Sequence, residues 1–242
     1  MLPKKILSLQ HPIVKNFVKL RENRKWRHEM GRVVISGWKQ ITEAKKVDIL
    51  LTEKGKPLPE VEANQIYFVT DAILKKVTGL LAPEPYAATI EIPAQSTLAQ
   101  KRWILCLDGV SDPGNLGTLL RSALALGWEG AFLLDSCDPY NEKALRAAKG
   151  ATFRLPLRMG TLLSLFDLIE TEDLIPRIAA PTGEPLQNLP KQENCLLILG
   201  NEASGVRPEL KETFPSLSIP IIGIESLNVA AAGAILLYTL KK

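Results

Sequence analysis

From residue 103 onward the chain alternates short apolar segments with amphipathic ones, and this alternation constrains the fold more than any other feature. Trp103–Leu107, Gly130–Asp135 and Cys195–Leu199 are nearly free of polar side chains and too short for helices, so they read as strands buried on both faces. Such strands belong to parallel sheets covered on each side by helices. The intervening segments agree. Leu116–Leu126 reads as a helix ending at Gly127, Asn141–Lys149 as one ending at Gly150, and Leu162–Ile169 as a third. Pro208–Phe214 reads as a short helix with proline in its first turn. Leu174–Ala180 reads as a strand whose proline suggests a sheet edge, and Ser218–Ile222 as another strand. Leu227–Leu240 closes the chain as a helix, and its apolar run from Val229 is shorter than the ~20 residues a membrane span needs. The expectation is an α/β domain over 103–242 with a mostly parallel sheet, and in such sheets ligands bind beyond the carboxyl ends of strands.

Residues 1–95 read as a smaller α/β unit, followed by a polar linker over 96–102. A basic helix spans about 12–27 and precedes a strand at Arg32–Ser36. A helix over about 38–46, strands at Asp48–Thr52 and Ile66–Thr70, an Asp71-capped helix and a strand at Thr89–Ile92 complete it. Charge separates the two regions. Residues 1–56 hold 14 Lys/Arg against 5 Asp/Glu, while the remainder holds 16 against 21. Lys15, Lys19, Arg24, Lys25 and Arg27 crowd into one stretch with Trp26, which suits a polyanion such as RNA; a solvated amphipathic helix without a partner is the other reading. The three cysteines are far apart, and the N-terminus has lysines but no apolar segment of a secretory signal, so a reducing, cytoplasmic setting is expected.

Several chemistries drop out. The chain has no phosphate-binding G-x-x-x-x-G-K-[ST] and no dinucleotide G-x-G-x-x-G. Both histidines, His11 and His28, lie in the basic unit, which removes a Ser-His-Asp triad or a histidine metal site from the larger domain. What remains is three polar, glycine-bearing segments beside strands: Leu107–Arg121, Leu199–Gly205 and Ile219–Asn228. Each has a structural reading of its own. Asn115 or Ser226 could cap a helix, Glu202 could cap a neighbouring one, and Arg121 could be a surface residue. Three such loops in one α/β domain point to a site.

Asp112-Pro-Gly-Asn-Leu-Gly-Thr-Leu-Leu-Arg121, Leu199-Gly-Asn-Glu-Ala-Ser-Gly-Val-Arg207, and Ser218-Ile-Pro-Ile with Ser226-Leu-Asn-Val-Ala230 resemble, in order, the three motifs of the SpoU (TrmH-type) RNA ribose 2′-O-methyltransferases of the SPOUT superfamily. His11-Pro-Ile-Val-Lys and Arg24-Lys-Trp-Arg resemble the family's N-terminal RNA-binding domain, which is similar to ribosomal protein L30e. Ser36, Leu124 and Lys149 depart from the family pattern. The resemblance implies a deep trefoil knot in the C-terminal domain, a homodimer whose site borrows a residue from the neighbour, and S-adenosylmethionine as cofactor without a metal. It implies main-chain contacts to the cofactor at Gly200, Ile219 and Leu227. It assigns Arg121 to the ribose 2′-hydroxyl, Asn115 and Glu202 to orienting that arginine or the substrate, and Ser226 and Asn228 to holding the loops. The RNA would be structured, ribosomal RNA before transfer RNA. The alternative is an RNA-binding or ribosome-assembly factor of the same fold that has lost transfer.

Overall fold

The computed structural model describes residues 3–190 and 192–241. The chain divides into two compact units, Met1–Pro93 with Tyr140–Glu142, and Ala94–Pro139 with Lys143–Lys242.

The first unit is a mixed five-stranded sheet with helices. Its elements are β1 (Lys4–Lys5), α1 (Pro12–Glu22), α2 (Arg24–Met30), β2 (Arg32–Ser36), α3 (Trp38–Ala44), β3 (Lys46–Glu53), β4 (Glu62–Val69), α4 (Asp71–Thr78) and β5 (Tyr86–Glu91). The strand order is β1-β4-β3-β5-β2, with β5 antiparallel to both neighbours and the other pairs parallel. Val14 and Phe17 of α1 pack with Ile73, Leu74 and Val77 of α4 and with Leu51 of β3. The expected single basic helix is two helices. Asn23 takes an extended conformation, and its side chain accepts from the Trp26 N–H at 2.9 Å to cap α2. The break leaves the last carbonyls of α1 without their helical donors. The Arg27 guanidinium donates to the carbonyls of Leu20 and Arg21, each at 2.7 Å. Arg27 is therefore buried, 2% exposed, and joins two helices instead of facing RNA. A second correction concerns α4. Its cap is Thr70, whose hydroxyl accepts from Ile73 N–H, while Asp71 sits in the first turn and pairs with Lys75 at 2.7 Å.

The second unit has β6 (Trp103–Asp108), α5 (Pro113–Ala125), β7 (Gly130–Leu134), α6 (Glu142–Ala148), α7 (Ala151–Arg154), β8 (Leu157–Gly160), α8 (Leu162–Thr171), β9 (Pro176–Pro185), β10 (Cys195–Leu199), α9 (Pro208–Thr213), β11 (Ser216–Ser218) and α10 (Val229–Leu240). Six strands in the order β11-β9-β10-β6-β7-β8 pair in parallel throughout. Alternate residues of the central strands serve two cores, as the period of a strand requires. Leu105, Leu107, Leu133, Leu197 and Leu199 pack with α5 and α10, while Ile104, Cys106, Phe132, Leu196 and Ile198 pack with α8 and α9. Truncating one such side chain to alanine costs ~2–5 kcal/mol.

Three expectations for this unit change. β9 lies between β10 and β11 and is not an edge; Pro176 is tolerated because it opens the strand. The last strand covers Ser216–Ser218, earlier than expected, because the chain at Pro220 has already left the sheet. The segment expected as a linker, 96–102, packs on the second unit. Ser96 N–H donates to Leu157 O at 2.8 Å, and Leu98 is buried in the second core. No helix among the described residues is long and apolar enough to cross a membrane.

Candidate active site

Three segments of the second unit meet through Glu202 and Asn115. β6 delivers residues 109–112 to the start of α5, β10 delivers the loop 200–207, and the chain from β11 reaches the start of α10. Glu202 Oε2 accepts from the Ser111 backbone N–H at 3.2 Å and the Ser111 hydroxyl at 3.0 Å. Its Oε1 accepts from the Asp112 N–H at 3.3 Å and from Asn115 Nδ2 at 2.9 Å. Asn115 Oδ1 in turn accepts from Asn228 Nδ2 at 3.2 Å. Burial pushes the Glu202 carboxyl up, but the hydrogen bonds from Asn115 and Ser111 outweigh it, so its pKa lies below the usual glutamate value. The carboxylate form is the one this cluster holds.

The local folding of each residue is explicable. Asp112, not Asn115, caps α5: its Oδ1 accepts from the Asn115 N–H at 2.8 Å, and Pro113 opens the helix. This frees the Asn115 side chain for Glu202. Lys143 Nζ lies 2.7 Å from Asp112 Oδ2, and that hydrogen bond is the main reason the Asp112 pKa is lowered. Asn228, not Ser226, caps α10, its Oδ1 accepting from Ala230 and Ala231 N–H at 2.9 and 3.4 Å. The same amide group thus ends one loop and touches the next. In the loop 200–207, Asn201 Oδ1 accepts from Ala203 and Ser204 N–H, and its Nδ2 donates to Gly109 O at 2.8 Å. Gly200 is required there, since a Cβ would lie 2.2 Å from the Gly205 carbonyl carbon and the Val206 nitrogen.

Asn115, Glu202 and Asn228 are therefore brought together, whereas Arg121 and Ser226 are not. Arg121 is exposed and makes no hydrogen bond or ion pair among the described residues. Six residues beyond Asn115, it points about 120° away around α5. Ser226 is exposed and Leu227 half-buried in a stretch, 221–227, that makes no backbone–backbone hydrogen bond among the described residues. Ile222 and Ile224 of that stretch are 99% and 59% exposed. Ile219 is half-buried at its start.

Sequence reasoning gave no role to Asp108, Asp135, Asn201, Lys143 or Arg207. Arg207 and Asp108 are 99 residues apart, so spacing carries no sign of their pairing. In the first unit Lys15, Lys19, Arg24 and Lys25 are exposed, and the Lys19 ammonium stands 3.3 Å from the centroid of the Trp26 ring, whose Nε1 donates to Asn16 Oδ1 at 2.9 Å. One face of Trp26 is thus already covered. No group of three or more His, Cys, Asp or Glu side chains among the described residues is placed to hold a metal ion.

A parallel sheet helix-covered on both faces, with its polar cluster on loops at the carboxyl ends of central strands, defines an α/β enzyme-type domain. The chain belongs to the SpoU rRNA Methylase family, whose model matches residues 102–238. It is 36% identical to the 23S rRNA (guanosine(2553)-2′-O)-methyltransferase RlmP of Bacillus subtilis strain 168, over 98% of this chain and 99% of that protein. Among solved structures it is similar to the AdoMet-bound rRNA methyltransferase of Sinorhizobium meliloti, with a TM-score of 0.85, 25% identity, and coverage of 98% and 97% of the two chains. Its fold is also that of the SpoU methyltransferase AviRb of Streptomyces viridochromogenes, with a TM-score of 0.86, 23% identity and coverage of 96% and 97%.

Proposed function

We propose that this protein methylates a ribose 2′-hydroxyl of ribosomal RNA, using S-adenosylmethionine. The observation that carries the reading is the Glu202–Asn115–Asn228 chain, which ties all three motif loops into one arrangement. A protein that only bound RNA would not need it, and the inactive alternative finds no support in relatives named as methyltransferases.

The residues present fit the cofactor. The stretch 221–227 offers main-chain groups that make no backbone–backbone bond, beside the apolar side chains of Ile222 and Ile224, which suits a ligand with a flat base held by backbone contacts. Gly200, Ile219 and Leu227 are the positions assigned to those contacts. When bound, S-adenosylmethionine supplies a methyl group already activated as a sulfonium, so the protein's work is alignment and proton handling. Glu202 holds Asn115, and Asn115 with Asn228 offers amide groups at the edge of the cluster. Arg121 meets the substrate as a donor to the 2′-oxygen and the neighbouring phosphate, since its planar guanidinium offers only N–H donors and matches phosphate geometry.

Arg121 turns away from its own cluster and is unpaired among the described residues, which is consistent with service to the site of a second copy. Ile235 and Tyr238, exposed on α10, suit an interface of a homodimer. The trefoil knot is supported by the chain path: β11 lies beyond β9 at the far edge of the sheet, yet the following residues return to Asn115, and Gly233 of α10 packs against Leu119 and Leu199. In the first unit, residues 1–95 supply the RNA-binding domain through Lys15, Lys19, Arg24 and Lys25.

The test is methyl transfer from labelled S-adenosylmethionine to total RNA of a strain lacking the protein, followed by ribose-methylation mapping. One labelled ribosomal site, absent with Arg121→Ala, is the expected result. RNA binding without incorporation would overturn the enzyme reading. Sedimentation of the free protein checks the dimer.

A further inference from the structure

Glu202 lies on an exposed loop, yet its carboxylate meets four donors of another loop, so something must fix both loops in register. Asp108 is the last residue of β6 and only 3% exposed. It accepts from the Arg207 backbone N–H at 2.8 Å and from Arg207 Nε at 2.7 Å, and Arg207 Nη2 stands 2.7 Å from the same Oδ1. Nη2 also donates to Asp135 Oδ2 at 3.0 Å, just beyond the end of β7. Asp135 itself has φ +48°, a left-handed conformation that aspartate tolerates better than most residues. The loop of Glu202 ends at Arg207, and the segment that donates to Glu202 begins at Asp108. One guanidinium therefore fastens the roots of both partners to two adjacent strands.

We infer that Arg207 is a positioning residue: by clamping Asp108 and Asp135 it sets where Glu202 meets Ser111, Asp112 and Asn115. Lysine cannot reproduce it, because its single nitrogen cannot meet Asp108 as Nε and Nη2 do together while also reaching Asp135. The kinetic part rests on the proposed methyltransferase activity; the structural part does not.

The experiment uses the full chain and three variants, Arg207→Lys, Glu202→Gln and the double variant, with Asp135→Asn as a milder loosening that leaves Asp108 paired. Amide hydrogen exchange reads the clamp directly. In Arg207→Lys the Ser111 and Asp112 amides should exchange faster by at least about tenfold, while those of β6 and β10 stay protected. In single-turnover transfer, Arg207→Lys should lower the rate by roughly 10–10²-fold, the size of loss a small misplacement causes, with KM for RNA unchanged. In the Glu202→Gln background it should add less than about twofold, because both changes remove the same arrangement. Unaltered exchange at Ser111 and Asp112, or losses that multiply in the double variant, would overturn the inference. If Arg207→Lys does not fold, Asp135→Asn must show the same pattern at smaller size or the inference fails. If the wild-type protein transfers no methyl group, the functional reading fails alone, and exchange still decides the clamp.

Discussion

The two units handle charge in opposite ways. In the second, the polar groups of the motif loops are bonded to one another: Asp108 to Arg207, Asp112 to Lys143, Glu202 to Ser111, Asp112 and Asn115, and Asn115 to Asn228. In the first, Lys15, Arg24 and Lys25 stand on exposed helix surface, and the Lys25–Glu29 pair at 3.8 Å with side chains 86% and 47% exposed is of the kind that contributes little. The first unit offers a charge density and the second a fixed geometry. The first should therefore act on affinity and its salt dependence, and the second on the rate of the chemical step.

Arg121→Ala gives the largest effect and the most direct way to break this division. It should lower kcat by roughly 10³-fold, the upper range for losing one well-placed donor, while S-adenosylmethionine binding by calorimetry stays within about twofold of wild type. A rise in KM for RNA at unchanged kcat would move Arg121 into the affinity class with the lysines of the other unit.

Arg27 tests the comparison from the other side, because it is a cation of the first unit that behaves like one of the second. Arg27→Met leaves the Leu20 and Arg21 carbonyls without their donor and should destabilise the protein by about 2 kcal/mol in urea unfolding. The salt dependence of RNA binding should not change. If its slope falls as it would for an exposed lysine, Arg27 contacts RNA after all.

That residue also marks where the sequence stops being legible. The strands of the second unit were readable because burial on both faces leaves continuous apolar runs such as Leu196–Leu199, which no other setting explains as well. The three loops were readable as a site because they follow those strands. Arg27 is not legible from its residue type: whether an arginine meets RNA or its own backbone depends on the break at Asn23, which the helical periodicity of the surrounding residues hides. The choice of cap is hidden for a related reason. Asp112 and Asn115 are both good capping residues three positions apart, and the choice is made by Glu202, distant in sequence, which takes the Asn115 amide. Proximity across the sheet, as for Arg207 and Asp108, leaves no local trace at all.

A smaller effect should follow from removing exposed cations of the first unit. The double variant Lys15→Ala, Lys25→Ala should raise KM for RNA several-fold at fixed salt without altering kcat. It should also flatten the plot of log affinity against log salt by about 0.7–0.9 for each phosphate that the variant no longer neutralises. A matched fall in kcat would show that the two units are not divided as the charge patterns suggest.

The smallest effect is in the acid limb of stability, and it bears on whether the second unit's geometry is held by ionised groups. Glu202 has a folded pKa below its unfolded value near ~4.3, so its hydrogen bonds stabilise the fold fully above that pH and cease to do so as pH falls through the lower folded value. Asp112, lowered chiefly by its bond to Lys143, follows the same course from an unfolded value near ~3.9. Wild type should therefore be more stable than Glu202→Gln at neutral pH, and the gap should close only below about pH 4 in urea titrations taken at successive pH values. Glutamine keeps an acceptor for Asn115 but cannot take four donors as a carboxylate does, so a gap that stays constant down to about pH 3 would mean that shape, not charge, sets the cluster. The four donors converging on Glu202 favour the ionised form, and the same convergence keeps Asn115 turned toward Glu202 and Asn228 rather than toward solvent.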